Sequence, residues 1–105
     1  MAKMSELLSQ FVEETTKKLV DYPHEVDVDA VVSTKNVILQ IKTNPKDCGK
    51  VIGKKGRTID ALKTITLAIK NTNFPDDVRH VFLEVLEDEG KNFVLSSKES
   101  RSTSV

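Results

Sequence analysis

A run of apolar residues at helical spacing extends from Pro45 to Lys70, and Gly53-Lys54-Lys55-Gly56 cuts it in two. No other feature constrains the fold as much. Glycine adopts positive φ, or admits close backbone approach, at little cost. A glycine at each end of so short a turn therefore predicts a sharp reversal between two helices. The first helix is expected from Pro45 to about Ile52, with Asn44 placed to cap it and Pro45 suited to the first helical position. The second is expected from Arg57 to Lys70, with Ile59, Leu62, Ile65, Thr66 and Ile69 on its apolar face.

Each such helix has one apolar stripe to bury, so the pair must lie on a larger surface. The flanking segments supply it. From Glu25 to Val31, Glu25, Asp27 and Asp29 alternate with Val26, Val28 and Ala30. From Asn36 to Thr43, Val37, Leu39 and Ile41 form one face, with Ile38, Gln40 and Lys42 on the other. Ser33-Thr34-Lys35-Asn36 is a short hairpin connection. After a loop at Asn71–Asp76, a third strand is expected from about Val78 to Glu87, with Val81, Leu83 and Val85 on one face. A helix from Met4 to about Val20 precedes these, carried by Leu8, Phe11, Val12, Thr15 and Leu19, and Pro23 forbids its continuation. The order α-β-β-α-α-β predicts an α+β fold. Its sheet is three-stranded and mixed, its three helices lie on one face, and a right-handed crossover joins the parallel neighbours. Residues 1–90 are read as one domain, and 91–105 as a polar tail. Within that tail only Phe93-Val94-Leu95 has the character to pack, so Ser96–Val105 is expected to be disordered.

The glycine motif excludes several chemistries by its spacing. A phosphate-binding P-loop needs four residues between its first Gly and Gly-Lys-Ser/Thr, but three separate Gly49 from Gly53, and Lys55 stands where Ser or Thr belongs. The dinucleotide fingerprint needs Gly at position 51, which is Val51. Gly49 and Gly53 match the spacing of membrane-helix pairing, but no apolar 20-residue segment hosts them. Charge points to a polyanion. The net charge is zero, yet Lys46, Lys50, Lys54, Lys55, Arg57 and Lys63 against Asp47 and Asp60 leave residues 46–63 at +4. Nothing in the spacing of His24, His80 and Cys48 brings a nucleophile and a base together, and no metal-ligand pattern occurs, so neither an enzyme nor a cofactor is expected. A lone cysteine forms no intramolecular disulfide, and the N-terminus lacks the apolar stretch of a secretory signal; a cytoplasmic location is expected.

The segment Val51-Ile52-Gly53-Lys54-Lys55-Gly56-Arg57-Thr58-Ile59 resembles the KH signature. The element order is that of the type II, prokaryotic, KH fold, and the likeness covers about residues 5–88. Pro45 to Arg57 looks closest to the small bacterial stand-alone KH proteins of the KhpA type. The resemblance implies single-stranded RNA as partner, clamped by Gly53, Lys54, Lys55, Gly56 and Arg57 with Lys50 beside them. It implies a groove lined by Val51, Ile52, Ile59 and Leu62. The loop at Asn71–Asp76 and the strand from near Val78 would form its other wall, main-chain groups of that strand reading base edges. Packing in the core is the competing role for Ile52, Ile59 and Leu62, and a solvated strand end is the expected role of Arg79 and His80. The family further implies an RNA chaperone or post-transcriptional regulator that pairs with itself or with a second, KhpB-type KH protein. The alternative is a ribosome-associated or protein-interaction module, in which outward Ile38, Phe82 and Leu86 would matter most. The strip of Phe82 and Leu86 has two candidate covers, a second chain or the chain's own Phe93-Val94-Leu95.

Overall fold

A computed structural model of the chain describes residues 3–86 and the strand at 92–95. Helix α1, Met4–Lys17, opens the fold, with the Lys3 amide donating to Glu6 Oε1 at 3.3 Å. It turns Met4, Leu8, Val12 and Thr16 inward. That stripe has the expected phase, but the helix stops short of Leu19, which is left exposed. A single 3-10 turn at Pro23–Glu25 follows, so the strand begins two residues later than its alternation suggests.

Strands β1, Asp27–Val32, and β2, Asn36–Lys42, form an antiparallel hairpin. A 3-10 turn, Pro45–Asp47, is capped as expected, with Asn44 Oδ1 accepting from the Lys46 amide at 2.9 Å. It runs into the short helix α2, Cys48–Ile52. Helix α3, Arg57–Asn73, is three residues longer than its periodicity predicts. Strand β3, His80–Leu86, returns parallel to β2, with Val37 opposite Val81 and Ile41 opposite Val85. The expected three-stranded mixed sheet is therefore present, with all three helices against the face of Val37, Leu39, Ile41, Val81, Leu83 and Val85. Those six residues with Leu8, Val12, Val51 and Ile59 are the most deeply buried part of the core, and burying each larger side chain among them stabilises the fold by roughly 1.5–3 kcal/mol.

Two features depart from the sequence reading. Strand β4, Asn92–Leu95, pairs antiparallel with β3, so the sheet has the order β1-β2-β3-β4. It falls inside the stretch 91–105 read as a tail. Four residues are too few for a periodic signal to separate a strand from an apolar patch. The reading of Ser96–Val105 lies outside the described residues. The second departure is in α3. Ile65, read as core, is half exposed, while Lys63 and Lys70 are buried. Lys70 buries its aliphatic stem and delivers Nζ to the Asp77 carbonyl at 2.7 Å, the arrangement by which long cations cover apolar surface. No described helix is long and apolar enough to cross a membrane.

Candidate functional site

The break between α2 and α3 is built by three unusual backbone conformations in close succession. Gly53 has φ +80° and ψ 173°, Lys55 has φ 57°, and Gly56 has φ 73°. A β-carbon on Gly53 would collide with the Thr58 side chain and sit 2.7 Å from its amide nitrogen. Gly53 is thus required twice, for its dihedral and for space. The turn is closed by the Gly53 amide donating to Gly49 O at 2.8 Å and the Gly56 amide to Gly53 O at 3.1 Å. Lys55 holds a left-handed conformation that a side chain tolerates at a cost of about 1–3 kcal/mol, which a merely connecting turn has no need to bear.

Several groups that attract anions meet at this corner. α3 has 17 residues, and its first turn presents main-chain N–H groups and the positive end of the helix dipole at the turn. Lys54, Lys55 and Arg57 are exposed around it. Ile52 is half-buried at the rim and retains apolar surface. Of the expected contact residues, those of the turn itself and Arg57 therefore lie together.

Lys50 and Ile59 have other employment. Lys50 Nζ lies 2.8 Å from Asp21 Oδ2 and 3.5 Å from Asp47 Oδ1, so its charge is already paired. The hydrogen bond to Asp21 is the main cause that holds its pKa above the ordinary lysine value. Sequence proximity to the turn suggests a phosphate contact; the partner that claims it, Asp21, comes from the connection after α1. Ile59 has no exposed surface at all, and Val51 likewise; both are core residues that hold the turn from beneath. Leu62 is buried too.

Asp47 is a residue the sequence reading passed over. Its carboxylate is fully buried and accepts the amides of Asp21 at 3.2 Å and Tyr22 at 3.0 Å. Burial raises its pKa, but these amides and Lys50 outweigh that and leave it below the usual value. The carboxylate ties the segment after α1 to the root of α2. The one available signal was an acidic residue amid a cationic stretch. In the loop before β3, Arg79 donates Nε and Nη2 to Asp77 at 3.0 and 2.6 Å, which removes it from the free cations. Among the described residues no group of three His, Cys, Asp or Glu side chains is placed to hold a metal.

A sequence profile described as "KhpA/KhpB, KH domain" matches residues 9–82 of this chain. Three bacterial proteins named RNA-binding protein KhpA are similar to it. The one from Clostridium perfringens is 43% identical over 61 residues, which cover 58% of this chain and 81% of that protein. The one from Aquifex aeolicus is 40% identical over 80 residues, 76% of this chain and 96% of that protein. The one from Leifsonia xyli is 35% identical over 82 residues, 78% of this chain and the whole of that protein. No solved structure matches the chain significantly.

Proposed function

The chain belongs to the KhpA/KhpB KH-domain family, and from that membership we propose that it binds single-stranded RNA, holding the phosphates at the turn from Gly53 to Gly56. The observation that carries the proposal is the turn itself. Two positive-φ glycines bare the main chain where three exposed cations and the first-turn amides of a long helix converge. A loop of this kind clamps about four nucleotides. Gly53, Lys54, Lys55, Gly56 and Arg57 act on the phosphates, and Ile52 offers the nearest apolar surface to a base or sugar. Lys50 and Ile59 support the turn instead of touching RNA. Residues 1–90 form the binding domain, and the protein works in the cytoplasm as an RNA chaperone or post-transcriptional regulator, by binding and not by catalysis. Incubation with nucleoside triphosphates is accordingly expected to release no phosphate.

Replacing Lys54 and Lys55 together with Asp tests the clamp. Both are exposed, and substitutions at such sites usually alter stability by less than about 0.5 kcal/mol. RNA binding should vanish while the melting temperature holds. A folded double variant with native affinity would refute the site.

A second KH chain, another copy or a KhpB-type protein, is the proposed protein partner. It is supported by an apolar row across the open sheet face, where Val31 pairs with Ile38 and Ile38 with Phe82. Val31 is 47% exposed. The same row favours the rival reading of a protein-docking or ribosome-associated module. Crosslinking in cells separates them, since recovery of many free RNAs supports the clamp and recovery of ribosomal RNA alone supports the rival.

A further inference from the structure

We propose that β4 is a competitor held in cis: it occupies the half of β3's outer edge that lies on the side of α2, and bound RNA has to displace it. The inference rests on the RNA reading above and adds a restraint on it.

An edge strand presents a row of unpaired N–H and C=O groups that an extended chain can hydrogen-bond. β3 has β2 along one side for its whole length, His80–Leu86. On the other side β4 pairs with Leu83 to Leu86 only, in the register Leu83 to Leu95 and Leu86 to Asn92. Among the described residues, His80, Val81 and Phe82 have no strand on that side. Among the described residues the edge is thus divided into a half paired with β4 and a half with no strand beside it.

The covered half is the one on the side of α2. α2 leads into the turn, and its first residue, Cys48, has Sγ 3.6 Å from the Leu86 carbonyl. α3 leaves the turn and runs back across the sheet, ending at Asn73, from which the chain re-enters at His80. β4 lies against α3 as well as β3. A single strand gripped at Gly53–Gly56 and laid toward the sheet meets β4 first. On Leu83 to Leu86, the edge it would use for hydrogen bonds to bases is already paired with β4.

β4 is suited to give way. The family match ends at residue 82, so β4 lies beyond the shared domain. It is four residues long, and its described strand neighbour is β3 alone. Pairing of so few residues is marginal on its own, and elements of this kind open at a small fraction of the global unfolding free energy. Covering an edge also guards against aggregation, and that is the bland alternative the test addresses.

Two variants of the full chain move β4 in opposite directions. Successive N–H groups of a strand point to opposite sides, so replacing Phe93 and Val94 together with Pro removes one ladder donor whichever way the strand is turned. Glu84 and Val94 face each other across the pair, close enough for a cross-strand bond, so Glu84→Cys with Val94→Cys locks β4 in place when oxidised. Affinity is read with a fluorescent single-stranded RNA of randomised sequence, about eight nucleotides long, twice the span of one clamp. The proline variant is expected to bind about three- to tenfold tighter. The oxidised cysteine variant should bind weaker by a similar factor and recover on reduction. Native-like affinity in the proline variant and in both redox states overturns the inference while leaving the RNA reading intact. Absence of binding by every form, the native chain included, overturns that reading and this inference with it.

Discussion

At single positions the fold leaves clear signatures. Gly49 lies within α2 and Gly53 just past its end, and they answer to different demands. An added methyl at Gly49 meets nothing within 4 Å, whereas at Gly53 it strikes Thr58 and is strained by the positive φ. Gly49→Ala should therefore raise stability by about 0.5–1 kcal/mol through the unfolded chain. Gly53→Ala should lower it by more than about 1 kcal/mol. Urea midpoints of the two variants check this, and equal shifts would contradict it. Thr16 gives a second case. Its hydroxyl is buried with no hydrogen-bond partner on the inner face of α1. Valine has the same shape and the same branching, so Thr16→Val should gain about 1 kcal/mol by removing an unsatisfied group. A destabilised variant would mean that the hydroxyl has a partner after all.

At the level of elements, two carboxylates fasten segments that secondary structure leaves loose. Asp47 holds the end of the α1 connection to the root of α2, and Asp77 holds Arg79 in the loop that feeds β3. The hydrogen bonds from Arg79 depress Asp77 from 3.8 to about 2, and Asp47 is lowered as well. A carboxyl whose folded pKa lies below its unfolded one adds stability that is complete above the unfolded value and fades as pH drops through the folded one. The melting temperature should hold steady above about pH 4 and fall between roughly pH 4 and 2. Asp77→Asn should lower it near neutrality and flatten the acid limb, since the titrating group is gone. Thermal melts at stepped pH decide the matter; an acid limb of undiminished slope in that variant would assign the loss to other groups.

For the molecule as a whole, zero net charge with a local cationic corner predicts binding that is selective in place and modest in strength. With Lys50 and Arg79 committed to carboxylates, Lys54, Lys55 and Arg57 remain at the turn. If roughly three phosphates are neutralised, the log–log salt slope for a single strand should be near −2. A slope near zero from fluorescence titrations would remove the electrostatic basis of the proposal. Weak single-site binding gains from a second site in the same particle, which the open sheet face can provide by pairing two chains. Phe82→Glu should then convert a dimer to monomer in sedimentation and lower affinity for long RNA more than for short. A native chain that sediments as a monomer and binds short RNA tightly at high salt would dispose of the pairing.

What the chain determines locally is the kind and order of its elements. Alternation at Val37, Leu39 and Ile41, and again at Val81, Leu83 and Val85, marks strands with one inward face; helical spacing at Leu8 and Val12 marks α1. These patterns repeat within a few residues, so they are legible without knowing the neighbours. The turn was legible for the same reason, because its dihedral demands fall on Gly53 and Gly56 themselves. Tertiary structure decided the rest. Periodicity names a face but not how far along it the cover extends, so Ile65 lies open on α3 while Lys63 and Lys70 are buried. Lys50 is adjacent to the turn in sequence, yet its charge goes to Asp21, 29 residues away. Ile59 follows the turn closely but points beneath it. β4 exists only because β3 has an edge for it to join, and hydrogen bonds between distant segments leave no mark on a stretch as short as Asn92–Leu95.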